Sequence, residues 1–312
     1  MTREFPQIER RRGLTPAEFR RQYVQANRPV VLEGTADDWK ERWTPELLKE
    51  RHGDRLITCE TENYFVHDRS QMKLPLRSAI DSMSSEAQEY RVRTGSFLSQ
   101  VPELQEELKQ NSQFESFLPK TDRYRRVFWL APAGDVSSLH HDANLENLNV
   151  QVYGRKRFIL MPPGNYEHLY SHFFGESPID PREPDLVRYP KYEGISLCET
   201  TLNPGDILYL PQFWWHFVNA LTFCININTW ARAEGAGTRA IVAKFPLVPR
   251  IVYWTQQNEA FERFTDRNIK RINALYLFLT QKRGAATQPG DRATDRAATP
   301  DAPADSSPTA SS

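Results

Sequence analysis

The run from Phe128 to Trp230 constrains this chain more than any other part of it. It opens with Ser137-Ser138-Leu139-His140-His141-Asp142 and closes with Pro211-Gln212-Phe213-Trp214-Trp215-His216. Side chains two positions apart on a strand point to one face, so His140 and Asp142 reach a common point while His141 faces away. A His, a carboxylate two residues on and a second His far downstream make the donor set of a facial metal site. Such a site keeps coordination positions open, as non-haem Fe(II) oxygenases require. The competing reading is a polar His-His-Asp loop and a core histidine at 216, and for any one of these residues alone it would prevail. The strands beside them favour the metal site, whose candidate ligands are His140, Asp142 and His216.

The flanking strands carry a second set of polar residues. Asn147 to Gly154 alternates polar and apolar along its length, the mark of a half-buried strand, with Asn147, Asn149 and Gln151 on the polar face. Lys156 to Met161 alternates again, and Lys156 shares its face with Phe158 and Leu160. A lysine so placed either snorkels to water or awaits an anion. Cys224 to Trp230 puts Asn226, Asn228 and Trp230 on one face. Short strands with turn punctuation predict an antiparallel sandwich or barrel. Between them, Gly164 to Glu199 forms a long excursion with little regular structure, of the kind that often serves as a lid or substrate-binding element. Trp214, Trp215 and Trp230 either wall the site from water or pack an ordinary core.

The rest of the chain supplies scaffold and limits. Thr15-Pro16-Ala17-Glu18 predicts a capped helix start burying Phe19 and Tyr23; Thr44-Pro45-Glu46 predicts another, and Val30 to Glu33 a short strand. The 40 basic and 40 acidic residues balance, so charge gives no general reason to expect a nucleic-acid or membrane partner. Arg10-Arg11-Arg12 and Arg123-Tyr124-Arg125-Arg126 read as solvated surface. Three cysteines without paired spacing fit a reducing compartment. With no signal-peptide pattern and no apolar run long enough to cross a bilayer, the expectation is a soluble cytoplasmic protein. Phe261 to Leu279 is amphipathic at helical spacing, a surface that could pair two copies of the chain. The expected organisation is a lead at 1–13, a domain at 14–250, a helical segment at 251–283 and a disordered tail at 284–312.

Taken together, these residues resemble the cupin-like branch of the Jumonji C hydroxylases, the group that includes the asparaginyl hydroxylase of hypoxia-inducible factor. The resemblance runs from about Leu14 to Arg232. It rests on Arg28-Pro29-Val30-Val31-Leu32, on Leu139-His140-His141-Asp142, on Gln151 to Phe158, and on Pro204-Gly205-Asp206 leading to Trp215-His216. It implies a mainly β fold with flanking helices around a double-stranded β-helix, or jelly roll, that binds Fe(II) and 2-oxoglutarate. By the same resemblance His140, Asp142 and His216 match the iron ligands. Lys156 matches the lysine that pairs with the distal carboxylate of 2-oxoglutarate, and Ser137 a hydroxyl residue beside it. Asn147 and Asn228 match amides near the metal-side carboxylate, and Tyr90 a tyrosine on the co-substrate.

The reaction implied is hydroxylation of a side chain of a protein or peptide, with release of succinate and CO2. Substrate class rests on family analogy alone. Hydroxylation of a small metabolite is a second enzyme reading, and a metal-free cupin-like binding module a third. A zinc hydrolase could also use two His and a carboxylate; Lys156 and the asparagines favour the oxygenase.

Overall fold

The chain folds around two facing β-sheets. The computed structural model describes residues 5–60, 71–85, 97–108, 112–118, 124–143, 145–171, 175–233 and 241–243. All fall within one compact unit, Met1–Ile269; a second unit, Lys270–Ser312, lies outside them. Tyr90, the amphipathic run Phe261 to Leu279 and the tail also lie outside the described residues, so the expectations placed on them stay expectations.

In chain order the strands are β1 (Arg10–Arg12), β2 (Val30–Glu33), β3 (Leu56–Glu60), β4 (Gln71–Pro75), β5 (Tyr124–Ala131) and β6 (Val136–His140). There follow β7 (Leu145–Tyr153), β8 (Lys156–Met161), β9 (Cys198–Leu202), β10 (Ile207–Leu210), β11 (Trp215–Ala220) and β12 (Cys224–Arg232). The larger sheet has the order β1-β2-β10-β7-β12-β5 and the smaller β6-β11-β8-β9, while β3 and β4 form a separate hairpin. From β5 to β12 the chain passes repeatedly between the two sheets, and within these eight strands every pairing is antiparallel. That is the jelly-roll connectivity of a cupin-like core.

Alternation along each strand sorts the side chains into three layers. Leu148, Val150, Ile207, Ile225 and Ile227 leave the outer face of the larger sheet and pack beneath the N-terminal helices. The helix α1 (Pro16–Phe19) starts as its sequence predicts: Glu18 N–H donates to Thr15 Oγ1 at 3.3 Å and Thr15 N–H to the Glu18 carboxylate at 3.0 Å. Phe19 then sets its ring edge-on to Tyr209, with centroids 4.9 Å apart. On the smaller sheet the outer face is Leu139, Ile159, Met161, Trp215 and Phe217. Phe158, Leu160, Leu202, Leu208 and Leu210 form the apolar part of the space between the sheets.

Two sequence readings change here. Arg10–Arg12 is a sheet strand, parallel to β2, and Arg10 forms ion pairs with Glu33 and Asp206, both at 2.7 Å. In the second basic run, Tyr124 to Arg126 begins β5, and Arg126 pairs with Glu115 at 2.5 Å, while Arg125 stays exposed. The basic side chains obscured both strands because an edge or rim position leaves room for a long side chain to reach water or a partner.

Gly154, at the turn from β7 to β8, has φ +72°, and a Cβ there would lie 1.9 Å from the Phe223 carbonyl oxygen. Both strain and collision therefore oppose a side chain. Gly154→Ala should cost at least about 2 kcal/mol of stability in a denaturant titration. A second outcome concerns Glu146, whose carboxyl lies with Phe19, Phe117, Leu118, Leu148 and Tyr209 under α1. Burial pushes its pKa up to about 7, with the Tyr209 hydroxyl acting in the opposite sense. The unfolded chain ionises this group near pH ~4.3, so its contribution is fully present below that pH and declines as the pH rises to about 7. Glu146→Gln should flatten that part of the profile and be more stable than the wild type at pH 8 by on the order of 2 kcal/mol. Identical stability of the two proteins at pH 5 and at pH 8 would contradict it.

Candidate active site

Three side chains converge at one end of the space between the sheets. His140 ends β6, His216 lies in the paired strand β11, and Asp142 follows β6 in the turn to β7. Each offers a donor atom within 4.8 Å of the others. Register explains the approach of the histidines: His140 and His216 are direct cross-strand partners, with ring centroids 4.2 Å apart. In each ring Nδ1 lies against the carbonyl oxygen two residues earlier, Ser138 at 2.7 Å and Trp214 at 3.1 Å. Nδ1–H donates to that carbonyl, which leaves the Nε2 lone pair for a metal, the tautomer and orientation that histidine ligands require. His140 Nε2 stands 3.8 Å from Asp142 Oδ1, and His216 Nε2 stands 3.8 Å from Asp142 Oδ2. Two imidazole nitrogens and a carboxylate oriented in this way fit a divalent cation such as Fe(II).

Asp142 is held on its other side by Trp230, whose Nε1–H donates to Oδ2 at 2.9 Å, and by the Asn147 amide at 3.1 Å. Burial works against ionisation, but His216 and His140 and these two hydrogen bonds hold the carboxyl below the usual aspartate range. Sequence alternation placed Trp230 on the site's face without indicating that it binds Asp142. Trp215 points the other way, into the outer cluster, so it does not wall the site; Trp214 spends its indole N–H on the Asn27 carbonyl at 2.8 Å.

A ladder of amides runs inward from Asp142. Asn147 Oδ1 accepts from Asn228 Nδ2 at 3.3 Å, and Asn228 Oδ1 accepts from Asn226 at 2.8 Å and from Asn149 at 3.2 Å. Asn226 Oδ1 accepts from the Lys156 ammonium. Lys156 is only 8% exposed, so it points into the space between the sheets and does not snorkel to water. The sequence marked Asn149 and Asn226 as sharing this polar face, but only the fold links them to Lys156.

Ser137 comes to the same face by a route that simple alternation misses. His216 pairs with His140 and Val218 with Ser137, so between these pairs one residue on β11, Phe217, stands opposite two on β6, Ser138 and Leu139. The extra residue is a β-bulge, and it returns Ser137 to the face of His140. The immediate neighbour of the candidate ligands, His141, faces outward as expected, against Tyr166 and Trp215. Desolvation, with His140 next, pushes its pKa down to about 3, so the ring is neutral.

The excursion from Gly164 differs from its expected role. Tyr166, Leu169, Ile179 and Tyr192 pack onto the outer face of the smaller sheet, a cover for that face rather than a lid over the donor set. Among its described residues, the Gly175-Glu176 stretch reaches the site's edge, where Glu176 forms a β-bridge with His140 and the Gly175 carbonyl accepts the His141 N–H at 3.0 Å.

With this geometry in view, the comparisons with known proteins are specific. The cupin-like domain family model matches residues 16–236, well over half of the chain. The chain therefore belongs to the cupin-like family of Jumonji C oxygenases, which use Fe(II) and 2-oxoglutarate. It is 29% identical to the lysine-specific demethylase 8 of Xenopus tropicalis, over 68% of this chain and 50% of that protein. To the human bifunctional peptidase and (3S)-lysyl hydroxylase JMJD7 it is 27% identical, over 70% of this chain and 82% of that protein. The Arabidopsis thaliana lysine-specific demethylase JMJ30 is 27% identical, over 72% and 54%. The chain spans about half the length of the first of these curated relatives. No helix among the described residues is long and apolar enough to cross a membrane.

Because Trp230 is the indole donor to Asp142, Trp230→Phe should keep the ring and lose the bond. The expected outcome is divalent-metal affinity weakened by about 10-fold, read by titration with Co(II), since partners of metal ligands typically contribute on that scale.

Proposed function

We propose that this protein is an Fe(II)- and 2-oxoglutarate-dependent oxygenase that hydroxylates a side chain of a protein or peptide. The observation that carries the reading is one continuous polar path between the sheets, from Asp142 through Asn147, Asn228 and Asn226 to Lys156. A metal-binding end and a cationic end share one buried space, which suits a dicarboxylate that chelates at one end and needs charge compensation at the other.

His140, Asp142 and His216 would hold the metal from one side. Lys156 would take the distal carboxylate as a point charge, with the Ser137 hydroxyl on the same face. Asn147 and Asn228 would orient the metal-side carboxylate, and Tyr90 joins the set on the family resemblance alone. With Fe(II) and 2-oxoglutarate bound, O2 supplies one oxygen atom to succinate and one to the substrate C–H bond, and CO2 leaves. Trp230 and the apolar layer of Phe158, Leu160 and Leu210 exclude water from that space, which protects such chemistry from side reactions.

A protein substrate is favoured by the relatives, two named as lysine-specific demethylases and one as a lysyl hydroxylase. Both reactions oxidise a C–H bond near a lysine nitrogen or along its chain, so the same site chemistry serves either. Their products differ in mass: a stable hydroxylysine gains one oxygen, whereas an N-methyl group is lost as formaldehyde. We favour stable hydroxylation of a side chain.

The test is anaerobic addition of Fe(II) and then 2-oxoglutarate, watching the visible charge-transfer band, followed by O2 and mass analysis of peptide pools. The expected outcome is a band, succinate release and peptides heavier by one oxygen. His140→Ala should abolish the band. Lys156→Ala should raise the 2-oxoglutarate concentration needed for it by about 10- to 100-fold, the scale of a lost charge-assisted hydrogen bond. An iron-loaded, folded protein with no band and no succinate would leave a binding module. Oxygen gain confined to metabolite pools would move the substrate to small molecules.

A further inference from the structure

Of the three donor residues, Asp142 alone sits outside a strand, in the short turn between His140 and Leu145. Strand pairing therefore fixes the backbone of the two histidines directly, whereas Asp142, whose carboxylate Trp230 and Asn147 hold, takes its backbone position from this turn. Beside the Leu145 N–H to Asp142 carbonyl bond at 3.1 Å, the turn is bonded by the side chain of the outward-facing histidine. His141 Nδ1 accepts the Ala143 N–H at 2.9 Å, closing a ring of atoms around Asp142. The neutral imidazole then carries its proton on Nε2, which meets the Tyr166 hydroxyl at 3.0 Å. The ring is wedged edge-on against Trp215 (centroids 4.7 Å apart) and Phe213 (5.8 Å), and a Cβ on Gly175 would lie 2.3 Å from its Nε2.

The backbone on either side is in a costly conformation. Ala143 has φ +51° and Phe213 has φ +62°, both in the left-handed region that non-glycine residues seldom occupy, at about 1 kcal/mol or more each. These two strained residues are joined, since the Phe213 N–H donates to the Ala143 carbonyl at 2.8 Å. One follows Asp142 and the other precedes His216 by three positions, so the bond ties together the loops of two donor residues. Strain of this kind persists only where neighbours over-determine it, and the His141 ring is the side chain that pins Ala143 from the opposite side.

We propose that His141 is a positioning residue for the metal centre: its Nδ1 bond to Ala143 sets the Asp142 carboxylate relative to His140 and His216. The proposal rests on reading those three residues as a divalent-metal site. It accounts for a half-buried polar ring, two left-handed residues and a glycine with no room for a Cβ, gathered on the outer side of the smaller sheet.

The test uses Co(II) alone as probe, reading affinity and the visible d–d band of the full-length protein, with thermal melting of the metal-free forms as the folding control. His141→Asn keeps an acceptor near the Nδ1 position, within reach of the Ala143 N–H. His141→Gln fills more of the ring's volume and places its amide near Nε2, reaching Tyr166 but not Ala143. The expected result is that the Gln variant binds Co(II) about 10- to 100-fold more weakly than the wild type with an altered band, while the Asn variant recovers most of the affinity and the wild-type band. Equal losses in both variants, or the better binding in Gln, would overturn the positioning role and leave a packing role only. A wild-type protein that takes up no Co(II) would overturn the metal-site reading, and this proposal with it.

Discussion

A carboxylate half-buried between two sheets is expensive unless its oxygens are matched by donors and its charge by neighbours. Much of the structure around Asp142 meets that requirement. Trp230 and Asn147, from two adjacent strands of the larger sheet, both donate to one oxygen, and the two histidines of the smaller sheet face the carboxylate across the gap. The two sheets must hold a fixed separation for these contacts to coexist. The apolar half of the space, filled by Phe158, Leu160, Leu208 and Leu210, maintains it. Packing and charge compensation thus depend on one another here: loosening the apolar layer would disorder the polar one.

The polar half is built from amides because an amide both donates and accepts. Asn147, Asn149, Asn226 and Asn228 satisfy one another, so they can be buried between Asp142 and Lys156 with few polar atoms left over. A network of this kind is rigid and pre-arranged, which suits a site that must orient a small dicarboxylate without reorganising around it. The outer faces of both sheets serve this space indirectly. Helices stiffen the larger sheet, and the excursion after Gly164 stiffens the smaller one and carries the Tyr166 and Gly175 contacts that confine His141.

How much of this was legible in the chain depends on whether a feature obeys a local period. The candidate donor set showed in its spacing, His140 and Asp142 being two apart, although Asp142 lies in the turn after β6 and no strand period places it. Also legible were the polar faces of β7 and β12, and the capped starts at Thr15 and Thr44, where the predicted N-cap bonds form. Trp215 stayed open between two readings because three tryptophans near a site look alike until alternation within β11 assigns their faces. The strand at Arg10–Arg12 failed because its partners, Glu33 and Asp206, lie far along the chain. Ser137 was reached through family resemblance; a strict period of two would have chosen Ser138, because a bulge has no local signature.

The amino-acid sequence by itself determined the sheet-rich class of the fold, the candidate metal-donor set and the lysine strand that faces the same space, since these follow from side-chain chemistry, close spacing and the two-residue period of a strand. Tertiary structure decided which sheet each strand joins, the bulge that turns Ser137 inward, the amide path to Lys156 and the outward clamp around His141. Those features arise from pairing between residues distant in the chain. Cross-strand register and the mutual burial of two faces have no counterpart in any short stretch of sequence.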